Sequence, residues 1–336
     1  MERRFFFQPY QRSFLNPLQT ARGGWATREG FILRVQDGGS VGYGEVAPLP
    51  AFGTESHKAA RVYLERLATD PERAEDIDSL AALPCCAFAV SSALAALSRA
   101  PAVPRGDFAL AALLPAGQAA LCAAADKAAQ GYRSFKWKIG VAPVETEQAI
   151  FAALAAQLPN GARLRLDANC GLSLHALESW LRCLQGQRAR VDYLEQPLPV
   201  GQEALMARCA EAAGIPIALD ESLNGAQGAR WLQPGAWCGP LVVKPALTGD
   251  VGRLLERLRP IAAQVVLSSV FETQVGLEAA LQLAERVPGL NRPIGFDTLT
   301  AFRDGLCTLR PAATIRSVER ATFSPDSLWQ QLLQMT

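Results

Sequence analysis

Histidine is scarce: His57 and His175 are the only two in 336 residues. A zinc site built on several imidazoles, or a Ser–His nucleophile, has little to draw on. The eight cysteines form no CxxC pair, and a chain that is 49% hydrophobic can bury a full core without staples. Reduced thiols of a cytoplasmic protein are therefore expected. Neither sign of charge is in excess. A net charge of +1 supplies no basic stripe of the kind that displaces counterions from nucleic acid. Long apolar runs are missing as well: Cys85 to Ser98 is the longest apolar helix candidate, and Ser91 and Ser92 interrupt it. That is too short to cross a bilayer. In MERRFFFQPYQRSF the apolar run after three Phe is broken by Gln8, Pro9 and Gln11, so no secretory leader is expected. The GDVG stretch at 249–252 is too short for a phosphate-cradling loop. Neither a nucleic-acid nor a membrane partner is expected.

What is present changes texture near residue 105. Before it, Gly30–Val35 and Val41–Val46 read as strands around a hairpin loop, Gln36 to Ser40, marked by its Asp-Gly and Gly-Gly pairs. His57–Leu67, Asp76–Leu83 and Cys85–Ala100 read as helices. Phe14–Trp25, rich in Pro, Gly and polar residues, reads as a mobile loop. Residues 1–105 are thus expected to form an α+β capping domain, completed by the tail 306–336, whose Asp326–Met335 reads as a helix packing back on it.

From Phe108 the pattern is an apolar run, a turn and an Ala/Leu/Glu/Arg-rich helix, repeated. The runs are Phe108–Leu114, Ser134–Ile139, Arg163–Ala168, Val191–Leu194, Ile215–Leu219, Leu241–Val243, Gln264–Leu267 and Arg292–Phe296. Helices are expected at Glu145–Gln157, Leu174–Leu184, Gln202–Ala213, Asp250–Ile261 and Thr273–Arg286. Eight strands alternating with helices predict an α/β fold, a (β/α)8-type modified TIM barrel over 106–305. A doubly wound open sheet would gather its polar groups at one switch point. Here they follow successive runs instead.

Lys136 and Lys138, Asp167, Glu195, Asp220, Lys244 and the pair Ser268–Ser269 each stand at the C-terminal end of an apolar run, 24 to 29 residues apart along the chain. That is the length of one βα unit. Alternation along LRLDANCG puts Arg163, Arg165, Asp167 and Asn169 on one face and Leu164, Leu166 and Ala168 on the other. In a barrel these strand ends converge on one mouth. Three carboxylates meeting there repel one another unless a cation sits among them. Hard oxygen ligands without His or Cys suit Mg²⁺, which keeps positions open for water and a substrate oxygen. Three carboxylates and one Mg²⁺ leave net negative charge, so a site for a small anionic substrate needs the positive charge of Lys136, Lys138, Lys244 and Arg165. Asn169 is a candidate for orienting a ligand, Ser268 and Ser269 for binding a substrate carboxylate. Glu221 and Glu272 are weaker supporting candidates.

KWK (136–138), LDANCG (166–171), LEQPL (194–198), LDESL (219–223), VVKPAL (242–247) and LSSVFET (267–273) resemble the motifs of the enolase superfamily, in its muconate-lactonising subgroup. Within that subgroup the best match is the o-succinylbenzoate synthase family. GYGEVAPLPAFGTES (42–56) and IGFDTLTAF (294–302) are similar to its capping hairpin and last barrel strand, so the resemblance spans nearly the whole chain. It implies that Asp167, Glu195 and Asp220 ligate Mg²⁺, with Mn²⁺ as a possible substitute, and that Lys138 is the acid/base while Lys244 faces it across the substrate. It also implies a lyase performing syn dehydration of 2-succinyl-6-hydroxy-2,4-cyclohexadiene-1-carboxylate (SHCHC) to o-succinylbenzoate, through an enediolate, in menaquinone or phylloquinone formation. Other activities of the superfamily, N-acylamino acid racemisation or dipeptide epimerisation, would use the same two lysines. Dipeptide epimerases usually carry Asp-x-Asp after the last strand, where this chain reads GFDTLT. Mandelate-type racemases want a His in the seventh-strand region, and Val265–Thr273 has none. A barrel reduced to a binding module would lack a ligand or a lysine, and all five residues are present. The oligomeric state stays open, a monomer being compatible with the sequence.

Overall fold

The computed structural model describes residues 3–20, 23–76, 79–97, 104–225 and 227–335. Three antiparallel strands come first, β1 (Arg4–Thr20), β2 (Gly23–Asp37) and β3 (Ser40–Val46), in that sheet order. Asp37 pairs with Ser40 across a two-residue turn, and Gly38 takes a φ of 58°, the left-handed backbone such hairpins require. The expected loop Phe14–Trp25 is corrected by the structure: its described residues extend β1 and β2. Register runs to Ser13↔Thr27 and resumes at Leu18↔Trp25. The extra residues between form a bulge that accommodates Pro17 within a strand. Phe14 is buried against Trp25, Phe271 and Phe302, which anchors a segment whose polarity suggested mobility. Residues 21–22 lie outside the described residues.

Helix α1 (His57–Thr69) begins where the Ser56 side chain accepts from Ala59 N, and α2 (Pro84–Leu97) lies on β3. Their contact is close because Gly42 and Gly44 carry no Cβ; one there would meet the carbonyl oxygens of Ala93 and Ala89. The helix expected at Asp76–Leu83 is corrected to a single 3₁₀ turn, Ser79–Ala82. Pro84 disfavours helical backbone at the residue before it. Positions 77–78 of that segment, and 98–100 of the expected Cys85–Ala100 helix, lie outside the described residues.

The second part alternates strands and helices: β4 (Phe108–Ala109), β5 (Ala111–Leu114), α3 (Ala119–Ala129), β6 (Ser134–Lys138), α4 (Val144–Gln157), β7 (Arg163–Asp167), α5 (Leu174–Gln185), β8 (Val191–Glu195), α6 (Glu203–Ala213), β9 (Ile217–Ala218), β10 (Leu241–Val243), α7 (Val251–Leu258), β11 (Val265–Leu267) and α8 (Gln274–Glu285). Strands β5 to β9 form one parallel sheet and β10–β11 another. Single bridges complete the ring: Leu219↔Leu241 joins β9 to β10, while Ser268↔Gly295 and Leu110↔Ile294 close it through the eighth position. The run expected as a strand at Arg292–Phe296 is corrected to these two bridges, since Pro293 brings no N–H to a ladder. Trp137, facing outward from β6, meets Trp180 of α5 edge-on, and Phe151 of α4 meets the same ring between barrel and helices. The other face of the same strands turns Lys136 and Asp167 inward.

Near the end β12 (Thr314–Ile315) pairs with β4, followed by α9 (Ser317–Arg320) and α10 (Pro325–Met335). Leu328, Trp329 and Leu332 of α10 pack on Tyr10, Ile32 and Tyr43 of the N-terminal sheet. Buried ionic groups fix that sheet against the segment after β11. Arg28 donates to Val270 O (3.0 Å), Ala47 O (2.6 Å) and Pro48 O (3.0 Å); Glu45 accepts from Thr273 N (2.9 Å) and Gly276 N (2.9 Å) at the start of α8. Among the described residues no helix is long and apolar enough to cross a membrane, and all eight cysteines are free thiols.

Candidate active site

Strand register decides which ionic groups meet. Lys138 stands beside Asp167, and Asp167 beside Glu195, as Cα partners on parallel neighbours. Asp220 follows β9 by two residues, Lys244 follows β10 directly, and Ser268 follows β11 directly. The sequence-derived ionic groups thus occupy the C-terminal ends of consecutive strands, the active-site end of such barrels.

The carboxylates are deeply placed: Glu195 is fully buried, and Asp220 and Asp167 nearly so. Lys136 Nζ lies 2.8 Å from Asp167 Oδ2 and 2.7 Å from Glu195 Oε1. Lys244 Nζ donates to Asp220 Oδ1. Burial alone would lower the pKa of Lys136, but Asp167, Glu195 and Asp220 outweigh it and hold the group well above its usual value. Lys244 is raised likewise by Asp220 and Glu221 against its burial. Burial, with repulsion from Asp167, pushes Glu195 up to about 8. Glu221 is pushed to about 7 by burial and by Asp220 and Asp167.

Such shifts describe a basin with more carboxylate than its lysines satisfy. Glu195 Oε2 and Glu221 Oε2 are buried without a hydrogen-bond partner, an arrangement that costs free energy unless another cation or donor completes it. Among the described residues no three such side chains are drawn tight enough to cage an ion; the cations they hold include the Lys136 and Lys244 ammonium groups. The donor set of Asp167, Glu195 and Asp220, all hard oxygens and including the orphaned Glu195 Oε2, fits a divalent ion such as Mg²⁺.

Other expected residues fall around this basin. Asn169, at a positive φ of 42°, donates its backbone N–H to Asp167 Oδ1 (3.1 Å) and its side-chain amide to Glu221 Oε1 (3.2 Å). Arg165 lies a layer deeper. It donates to Asp192 Oδ2 (2.8 Å) and Pro293 O (2.8 Å) and lies over the Tyr193 ring, which suits support of the barrel interior rather than substrate contact. Ser269 Oγ donates to Glu272 Oε2 (2.6 Å) and accepts from Phe271 N; with Glu272 it shapes the turn before α8. Ser268 lies against Gly295 at the ring closure. His175 is exposed on α5, and His57 is partly buried at the start of α1, stacked on Phe31.

Three residues near the basin were not picked out from the sequence. Leu113, the register partner of Lys136, is 43% exposed in a barrel strand and so offers an apolar wall at the mouth. Phe52, from the segment after β3, places its ring 5.4 Å from Lys244 Nζ. Gln196 is fully buried beside Glu195. Alternation in β5 could have pointed to Leu113; no pattern announces the other two.

A closed parallel ring with carboxylates and lysines at its C-terminal rim, under an α+β cap, defines an enzyme of the enolase superfamily. Residues 119–313 match the family model "Enolase C-terminal domain-like", and 19–97 match "MenC, N-terminal domain". The chain belongs to the o-succinylbenzoate synthase family, which are lyases. It is 38% identical over 291 residues to the o-succinylbenzoate synthase of Thermosynechococcus vestitus, covering 84% of this chain and 88% of that one. It is 30% identical to that of Photorhabdus laumondii, covering 86% and 88%. A crystal structure of o-succinylbenzoate synthase from Thermosynechococcus elongatus, complexed with Mg in the active site, superposes with a TM-score of 0.84 at 33% identity, covering 99% of this chain and all of that one. The L-Ala-D/L-Glu epimerase of Bacillus subtilis shares the fold, with a TM-score of 0.74 at 22% identity over 89% of this chain and 90% of that one.

Proposed function

We propose that this chain is a cytoplasmic o-succinylbenzoate synthase that dehydrates SHCHC in menaquinone or phylloquinone formation, with Asp167, Glu195 and Asp220 holding Mg²⁺ or, in substitution, Mn²⁺. The observation that carries the reading is the basin itself: three buried carboxylates and three lysines on consecutive strand ends, with Glu195 Oε2 left unpartnered. The family membership of relatives at 38% and 30% identity supports it.

Removing the proton next to a carboxylate builds a dianion that is far uphill in water. When bound, Mg²⁺ supplies Lewis-acid stabilisation of that charge, worth several kcal/mol. Lys138, in register with Asp167 at the partly open end of β6, takes the α proton and then delivers it to the departing hydroxide, so one base serves both halves of a syn elimination. Lys244, held cationic by Asp220 and Glu221, stabilises the dianion from the other side. Lys136 and Asn169 order the carboxylates. Leu113 and Phe52 give the ring apolar walls.

The test is to assay SHCHC dehydration and N-succinylamino acid racemisation side by side with Mg²⁺. Dehydration is expected to dominate; racemisation as the main activity would replace this reading with the racemase one.

A further inference from the structure

Each of the three strands with a carboxylate ligand ends in a loop, and one residue bonds to all three ends. Gln196 directly follows Glu195. Its backbone N–H donates to Ala218 O (2.9 Å) on β9, and its carbonyl accepts from Cys170 N (2.8 Å) in the loop after Asp167. Its side-chain oxygen accepts from Asp220 N (3.0 Å) and Ser222 N (3.2 Å), while its side-chain nitrogen donates to Ser222 Oγ (2.9 Å) and Leu198 O (3.2 Å). Ser222 Oγ in turn donates to Glu203 Oε1 (2.7 Å), which also accepts from Gly201 N (3.0 Å). Both acceptor and both donor positions of the amide are in use, inside a fully buried side chain.

The backbone of Gln196 is left-handed, with a φ of 34°. A residue with a Cβ rarely adopts that conformation unless its surroundings over-determine it. Here the conformation lets the carbonyl reach the Asp167 loop while the side chain reaches the Asp220 loop. An apolar side chain of the same length would fill the space and leave the backbone bond to the Asp167 loop, but it could not hold the Asp220 loop.

We infer that Gln196 is a positioning residue that sets the spacing of Asp167, Glu195 and Asp220 and thereby the affinity for the divalent ion. The inference rests on the proposed assignment of those three residues as ligands. Partners behind metal ligands commonly change metal affinity or activity by about 10–100-fold when removed. Gln196 differs from the ligands in that it would touch neither the ion nor the substrate, so its loss should be compensated by excess metal.

Calorimetric titration of the metal-free protein with Mg²⁺ tests this, using Gln196→Met, Ser222→Ala and, as a control, Asp220→Asn. Gln196→Met should weaken Mg²⁺ binding about 10–100-fold, and Ser222→Ala should shift it in the same direction by less. In Gln196→Met, kcat should recover as Mg²⁺ is raised, with KM for the organic substrate near that of the parent. Unchanged Mg²⁺ affinity in Gln196→Met, alongside weakened binding in Asp220→Asn, overturns the inference and leaves the ligand assignment standing. Unchanged affinity in Asp220→Asn overturns both. Should Gln196→Met fail to fold, Ser222→Ala decides: weaker Mg²⁺ binding supports the role, and parental affinity overturns it.

Discussion

Lys136 and Glu195, 59 residues apart in sequence, meet at 2.7 Å on the floor of the barrel mouth, and the glutamate still keeps one oxygen without a partner. A single ammonium therefore does not satisfy the carboxylates around it. A divalent ion entering this basin must compete with protons. Glu195 is raised from 4.5 to about 8 and Glu221 from 4.5 to about 7, both chiefly by burial. Mg²⁺ binding should accordingly release protons near neutral pH and strengthen as pH rises to about 8. Calorimetry in buffers of different ionisation enthalpy reads this directly; binding with no proton release at pH about 6.5 would contradict it.

The same shifts set the stability of the metal-free protein. A carboxyl whose folded pKa is raised keeps its proton in the folded state after the unfolded chain has lost it. Between pH 4.5 and 8 the folded state thus binds more protons at Glu195, and its contribution to stability falls as pH rises through that window. Melting of the metal-free protein should drop towards pH 8, and Mg²⁺ should raise the melting temperature more at pH 8 than at pH 6. Equal stabilisation at both would argue against Glu195 as a ligand.

Lys138 carries both proton transfers in the proposed reaction. Lys138→Ala should lower kcat by about 10²–10⁴-fold or more, the usual weight of a general acid/base. Far-ultraviolet circular dichroism should be unchanged, since the side chain lies at the open end of β6. Dehydration surviving this change in steady-state assays, or surviving exhaustive removal of divalent metal by a chelator, would overturn the mechanism. After chelation, added Mg²⁺ should restore activity and Mn²⁺ should substitute at least in part.

Arg28 joins the N-terminal sheet to the loop after β11 through Val270 O and holds the segment after β3 through Ala47 O and Pro48 O, three buried contacts in all. Arg28→Met keeps much of the volume and strands those acceptors. At about 1–3 kcal/mol for each buried group left unsatisfied, the loss should exceed roughly 3 kcal/mol and show as a melting temperature lower by several degrees. An unshifted melting curve would mean that water replaces the guanidinium at no cost.

Much of the barrel was legible because burial writes itself into alternation. SFKWK and LRLD place Phe135, Trp137, Leu164 and Leu166 against the helices, which turns Lys136, Arg165 and Asp167 inward. The spacing of ionic residues along the chain then follows from the βα repeat. What was not legible depends on contacts between distant segments. Phe14 looked mobile amid polar neighbours, yet its ring is buried by Phe271 and Phe302. Arg292–Phe296 reads as a strand, but Pro293 limits it to two bridges. Arg165 shares a face with Asp167, yet Asp192 and Pro293 O engage its guanidinium one layer below the mouth. Gln196 gives no sign in LEQPL that its amide reaches the Asp220 loop.

The most direct test of the account is a crystal structure of the protein grown with Mn²⁺, with the ion located by its anomalous scattering. One strong peak is expected, within about 2.0–2.3 Å of oxygens from Asp167, Glu195 and Asp220 together, with Lys136 drawn off Glu195. A peak elsewhere, or one that any of these three carboxylates does not touch, would contradict it.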